Sequence, residues 1–261
     1  MSTWELLEKV RKEKPLVHHI TNWVTIYDCA NIVKSFGASP VMAHAKEEVA
    51  DMASIASSLV LNIGTLTSEL IESMKLAACA ANKKGIPVIL DVCGAGATPF
   101  RDSKVREILK SAKVNIIKGN ASEIARVAGM GVKTKGVDSG SVDADLSVMA
   151  SELAAEKSCT VVITGKEDII SDSSRVYRVS NGADMMGAIV GTGCMAASVI
   201  GAFAAVEKDL ARASASALVC FGIAAEIASG ISMGTGSFKN DLFDCVYNLN
   251  REQVETREKL A

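Results

Sequence analysis

From residue 59 to residue 128 the chain repeats one unit: a short run of branched apolar residues, a loop of small residues, then an amphipathic segment. The run 59–63 meets Gly64 and Thr65, and a helical pattern over 67–84 closes at Gly85. The run 87–91 begins on Pro87, which a strand tolerates at its first position, and ends on Asp91. Residues 92–99 form the next small-residue loop. A helix over 102–111, a strand over 113–118, a turn at Gly119 and Asn120, and a helix over 121–128 follow. Near-continuous apolar strands separated by helices need crossover connections, so the pattern predicts an α/β fold with a mostly parallel sheet.

The flanks extend this architecture. Residues 1–13 read as a helix ended before Pro15, and the stretch from Leu16 starts as a strand that carries a His/Thr/Asn cluster to Asn22. Adjacent His18 and His19 point to opposite faces of a strand, so they do not readily ligate one metal ion. A helix over 24–35, an apolar return at 38–43 and a helix over 46–57 come next, the last with Val49, Met52, Ala53 and Ala56 on one face. Residues 129–142 are glycine-rich and polar, as in a loop. A helix over 146–157 leads to a strand at 160–164, and 169–170 with 175–179 predict an antiparallel edge hairpin. Two mostly buried helices over 194–206 and 210–229 and an amphipathic helix over 239–256 complete a single domain spanning 1–261.

Composition narrows the function. Of 261 residues 49% are hydrophobic but only 4% aromatic, so the core is built mainly from Ala, Val, Ile, Leu and Met. Twenty-eight basic against 30 acidic residues give a formal charge of −2, without a polybasic stripe, so no nucleic-acid partner is expected. The seven cysteines are scattered without a CxxC pair, which suits a reduced, cytoplasmic chain without structural zinc. No signal segment is read, and polar residues interrupt the Ala-rich stretches, so no membrane span is expected.

The chemistry concentrates at a late glycine turn. Gly191, Thr192 and Gly193 open directly into a small, apolar run that starts with Cys194 and can form a buried helix. The first N–H groups of such a helix lack internal partners and seat an anion, and a thiolate at Cys194 is favoured there. A tight loop with a buried cysteine is the alternative. Open α/β sheets bind ligands beyond the carboxyl ends of their strands. That rule gathers Asn62 and Gly64, Asp91 with Gly94 and Gly96, Lys118 and Asn120 with Glu123, and Thr164 with Gly165. Asp91 and Glu123 could hold Mg²⁺, Lys118 could face a polyphosphate, and Thr164 could donate a hydrogen bond. Equally, Asp91 could cap a helix, Lys118 could reach solvent and Glu123 could support its helix start. Neither GxxxxGK[ST] nor an early GxGxxG is present, which argues against a P-loop NTPase and a simple dinucleotide-binding protein.

Six stretches together resemble the hydroxyethylthiazole kinase family of the ribokinase-like superfamily: 18–22, 37–52, 61–65, 94–101, 119–123 and 191–194. The resemblance covers nearly the whole chain. It implies a three-layer α/β/α sandwich that uses ATP and Mg²⁺ to phosphorylate the primary alcohol of 4-methyl-5-(2-hydroxyethyl)thiazole for thiamine synthesis or salvage. It also implies a homotrimer with active sites between subunits. By motif, Asn22, Met42 and Gly191 would meet the thiazole, and Lys118 and Thr164 would meet ATP. Asp91 and Glu123 would serve Mg²⁺, and Gly191, Thr192, Gly193 and Cys194 would form the anion hole, with Cys194 catalytic. Related hydroxymethylpyrimidine and pyridoxal kinases commonly carry Asp at that last position.

Two departures stand out. Asp91 is followed by Val92 and Cys93 where the family pattern has Pro and Val, and Val190 replaces a Thr before the glycine turn. A related small-alcohol kinase, or a nucleotide- or thiazole-binding regulator with weakened catalysis, are the competing readings.

Overall fold

A computed structural model describes residues 1–130 and 145–261. The loop expected over 129–142 therefore lies, from residue 131 onward, outside the described residues. Among the described residues, eight strands form one sheet: β1 (Leu16–Ile20), β2 (Ser39–Val41), β3 (Ser58–Asn62), β4 (Val88–Asp91), β5 (Ile116–Asn120), β6 (Thr160–Thr164), β7 (Asp168–Ser171) and β8 (Val176–Val179). Their order is β2-β1-β3-β4-β5-β6-β7-β8. The first six are parallel, whereas β7 and β8 form the antiparallel edge hairpin expected from the sequence.

The helices are α1 (Thr3–Glu13), α2 (Ile26–Ser35), α3 (Val49–Ile55), α4 (Ser68–Lys84), α5 (Pro99–Ser111), α6 (Ala121–Val127), α7 (Leu146–Lys157), α8 (Thr192–Ala204), α9 (Leu210–Ile231), α10 (Thr235–Asn248) and α11 (Arg251–Arg257). Two-residue alternation along each strand splits the core into two layers. Val17, Val60, Ile89, Ile116 and Val162 face a cluster with α1, α2, α8, α9 and α10. Leu59, Leu61, Val88, Leu90, Ile117, Val161 and Ile163 face the other, with α3, α4, α5, α6 and α7. The result is a three-layer α/β/α sandwich.

Some boundaries differ from the sequence reading. Helix α5 starts three residues early because Thr98 caps it, accepting from Arg101 N at 3.3 Å, and Pro99 suits the first turn. The segment 46–57 is helical only over Val49–Ile55. The single helix expected at 239–256 breaks at Leu249, because Asn250 and Gln253 exchange 3.0 Å capping-box bonds that start α11. Strand β5 runs to Asn120 rather than ending at Lys118, which puts Lys118 inside the ladder.

Helix α9 is long and apolar enough to cross a membrane, by length and composition alone. Its apolar surface is consumed by packing on α1, α8, α10, α11 and the sheet, and 72% of its most apolar window is buried. Helix α8 lies over the middle of the same face, where Ser58 Oγ donates to the Gly201 carbonyl at 2.8 Å. Its N-terminus thereby reaches the carboxyl ends of β3, β4 and β5.

Candidate active site

Asn62, Asp91 and Lys118 stand side by side, because Asn62 pairs in register with Asp91 and Asp91 with Lys118. Each follows a residue of the α3–α7 layer, so all three point to the face covered by α8. Asn62 and Asp91 close β3 and β4, Lys118 lies two residues before the end of β5, and each is nearly fully buried. Asn62 Nδ2 donates to Asp91 Oδ2 at 2.8 Å, and Lys118 Nζ lies 3.5 Å from Asp91 Oδ1. Asn22, just beyond β1, donates through Nδ2 to Asn62 Oδ1 at 3.0 Å and to Cys194 Sγ at 3.4 Å. Thr25 completes the chain by donating both its N–H and hydroxyl to Asn22 Oδ1. One buried network thus links the strand ends to the start of α8.

Gly191 precedes α8 with φ +100°, a left-handed conformation, and a Cβ there would stand 2.7 Å from Thr25 Cγ2. Glycine is required on both counts. The first hydrogen bond inside α8 runs from Met195 N to Gly191 O at 2.8 Å. The N–H groups of Thr192, Gly193 and Cys194 consequently have no intrahelical acceptor. The Thr192 hydroxyl donates to Met186 O at 3.0 Å, so this residue offers the site its N–H rather than its side chain. Lys118 Nζ would be 3.2 Å from a Cβ on Gly193, which sets the ammonium against the same helix turn. Asp28 also approaches Gly191, and Lys239 Nζ neutralises it at 2.7 Å from Oδ1.

The charges are set by this crowding. Burial alone would lower the pKa of Lys118, but Asp91 and Glu123 outweigh it and hold the ammonium above its ordinary value. The neighbouring Cys93 thiol pulls the Cys194 pKa down, to about 5, against burial and with help from Lys118. Asn22 adds a donor to the same sulfur. These groups favour the thiolate form of Cys194 over that of an ordinary thiol.

Glu123 does support its helix start: Oε2 accepts from Asn120 N and Oε1 from Gly94 N, both at 2.7 Å. Asp91 caps no helix, and Lys118 does not reach solvent. Asp91 Oδ1 is buried without a hydrogen-bond partner among the described residues. No three His, Cys, Asp or Glu side chains among the described residues are grouped to hold a metal ion.

These groups line one cavity of about 480 Å³, which contains Asn22, Asp91, Lys118, Glu123, Thr164, Gly191, Thr192, Gly193 and Cys194. Met42 is the exception: it follows the edge strand β2 and does not line this cavity. Val190 lines its mouth and is exposed, whereas Val92 is buried beside Gly119. His18 and His19 lie outside the cavity, bonded to the carbonyls of Ala43 and Val17 respectively. Sequence reasoning missed Thr25, which no motif singled out, and the bridging role of Asn62, which its place at the end of an apolar strand could have suggested. It also missed the 3-10 turn Asp184–Ala188, whose last three residues continue into the cavity wall.

The family model described as Hydroxyethylthiazole kinase family matches residues 7–252. Hydroxyethylthiazole kinase of Methanosarcina mazei is 59% identical over 254 residues, covering 97% of each chain. The structure of a hydroxyethylthiazole kinase protein from Pyrococcus horikoshii OT3 superposes with TM-score 0.91 at 41% identity, covering 99% of this chain and 98% of that one. A ribokinase-like superfamily protein from Enterococcus faecalis shares the fold at TM-score 0.65 and 13% identity, over 94% of each chain.

Proposed function

Because the chain belongs to the hydroxyethylthiazole kinase family, we propose that this cavity carries out that family's phosphoryl transfer with Cys194 at the reaction centre. The protein phosphorylates 4-methyl-5-(2-hydroxyethyl)thiazole with ATP, giving the phosphate ester and ADP for thiamine biosynthesis. The observation that carries the site assignment is the joint placement of the Cys194 sulfur, three N–H groups without intrahelical acceptors and a buried ammonium at the start of α8.

Transfer of a γ-phosphoryl group spreads charge over its equatorial oxygens and demands in-line placement of donor and acceptor. The N–H groups of Thr192, Gly193 and Cys194, with Lys118 Nζ, receive that charge without reorganising, because the helix and the buried ion pair already fix them. Thr164 and Lys118 hold the ATP phosphates. Asn22, Gly191 and the apolar mouth at Val190 hold the thiazole, with its hydroxyl toward Cys194. Cys194 Sγ orients that hydroxyl and takes its proton as the new ester bond forms.

Asp91 and Glu123 would hold Mg²⁺. Asp91 Oδ1, which accepts no hydrogen bond among the described residues, supports this, and each Glu123 oxygen keeps a lone pair beyond its single backbone bond. Two carboxylates without an all-protein cage suit an ion that completes its shell with water and phosphate oxygens. When bound, Mg²⁺ supplies positive charge and geometry to the phosphate chain.

We also assign the active protein as a homotrimer with its sites between subunits. Trp23, Val24 and Tyr27 are exposed beside cavity residues Asn22 and Thr25, and Met42 lies outside the single chain's cavity. A neighbouring copy's Met42 would close the thiazole end. A solution mass of three times 27.3 kDa is expected, and a monomer retaining full activity would defeat the assignment. Seven free cysteines support a reducing, cytoplasmic setting.

The substrate test gives purified protein Mg-ATP with the thiazole alcohol, hydroxymethylpyrimidine or pyridoxal in turn, and follows product mass. Phosphate on the thiazole alone is expected. Turnover of either other alcohol in preference to it, or thiazole binding without turnover, would overturn the reading.

A further inference from the structure

The segment 94–101 contributes no side chain to the cavity, yet its last residue reaches the site's framework. Arg101 lies in the first turn of α5, and its guanidinium turns back toward the sheet. Nη1 donates to Ile63 O at 2.8 Å and Cys93 O at 3.1 Å, and Nη2 donates to Gly64 O at 2.7 Å. These carbonyls lie just past the ends of β3 and β4, beyond the last register pair, Asn62 with Asp91. The closing bond of that ladder, from Ile63 N to Asp91 O, is already long at 3.3 Å. Where parallel strands part, their carbonyls need partners outside the sheet. One planar fork with fixed donors satisfies three of them, which a lysine point charge cannot do.

The rest of the segment makes that reach possible. Thr98 and Pro99 fix where α5 begins and so aim Arg101 backward. Gly94 has φ +78°, and a Cβ there would stand 2.9 Å from Arg101 Nη1. Its N–H is held by Glu123 Oε1 at 2.7 Å. The turn carrying Cys93 is therefore gripped by Arg101 on one side and Glu123 on the other.

We propose that Arg101 is a positioning residue for phosphoryl transfer: its guanidinium sets the separation of the β3 and β4 ends, and through them the placement of Asn62, Asp91 and Cys93 around Cys194. It touches neither substrate, being absent from the cavity lining. Its contribution is to geometry at the reaction centre and not to binding.

The test compares Arg101→Ala and Arg101→Lys with the wild type for kcat, KM and melting temperature, with and without millimolar guanidinium ion. Arg101 is only half-buried, so a small cation can enter the vacated place. Arg101→Ala is expected to lose about 100-fold in kcat, as misplacement remote from the chemistry can do, with both KM values nearly unchanged. Guanidinium should restore about a tenth or more of the lost rate, while methylammonium and Arg101→Lys should not. Unchanged kcat in folded Arg101→Lys would overturn the proposal, as would a loss that follows only the unfolded fraction and is not rescued. The proposal rests on the kinase reading. If the wild type turns over no thiazole alcohol, that reading fails by itself, and melting decides this one. Guanidinium should then raise the melting temperature of Arg101→Ala but not of the wild type, and no such rise would overturn the clamp.

Discussion

Replacing Cys93 with Val removes the neighbouring thiol that does most to lower the Cys194 pKa while leaving the other supports in place. The magnitude follows from the remaining partners. A hydrogen bond to a charged group contributes about 1.5–3 kcal/mol, and each pKa unit corresponds to about 1.4 kcal/mol. If the Cys93 thiol acts as such a donor, its loss should raise the Cys194 pKa from about 5 by roughly one to two units. Asn22 Nδ2 at 3.4 Å, the Lys118 charge and the start of α8 limit the rise and keep the value below that of a free thiol, about 8.5. Activity alone is a poor readout, because ATP phosphates titrate in the same range. The assay is the ultraviolet absorbance of the thiolate against pH, with Cys194→Ala as the blank for the other six cysteines. A midpoint in Cys93→Val unchanged from the wild type would refute the claim that the neighbouring thiol sets this ionisation. So would a wild-type midpoint at the free-thiol value.

Three further outcomes follow from the geometry. Gly191→Ala places a methyl 2.7 Å from Thr25 Cγ2 in a left-handed backbone, so denaturant titration should show a loss of about 2 kcal/mol or more. Its turnover should fall with it. Lys118→Met leaves Asp91 buried without its cation, so a stability loss of about 3 kcal/mol and a raised KM for ATP are expected; unchanged values for both would count against the ion pair. Partial burial pushes the Asp168 pKa up, to about 7, although its side chain accepts from Gly165 N at 2.9 Å. The folded state therefore holds this proton where the unfolded chain, with a pKa of about 3.9, has released it. Stability falls as pH rises through that window. Asp168→Asn should flatten the drop in melting temperature between the two values, and an unaltered profile would contradict the assignment.

The parallel sheet was legible in the sequence because its strands are short apolar runs with small-residue turns, a pattern that few other structures share. The site was legible for the same reason: Asn62, Asp91 and Thr164 end apolar strands, Lys118 follows an apolar run, and Gly191 with Gly193 marks the start of α8 beside them. Helix boundaries were harder to read. Thr98 and Asn250 act through single capping bonds, and these decided the start of α5 and the break before α11 against the broader periodicity. The network was harder still. Asn22, Thr25 and Asn62 meet only because β1 and β3 are adjacent in the sheet though distant in the chain. Arg101 stood inside a recognised segment, yet its three carbonyl partners exist only once the strands have parted. Met42 marks the limit of a single chain, since it does not line the cavity that the other expected residues share.

The most direct test of Cys194 at the reaction centre is single-turnover phosphorylation by Cys194→Ala, with thiazole affinity measured on the same preparation. Interactions made mainly in the transition state alter the chemical rate without altering ground-state binding. Loss of the thiolate at this site should slow phosphoryl transfer by about 100-fold or more, a size typical of removing one fixed transition-state group. The affinity for the thiazole alcohol should remain within a few-fold of the wild type. A variant that binds the thiazole much more weakly but transfers phosphate at the wild-type rate once saturated would contradict the account.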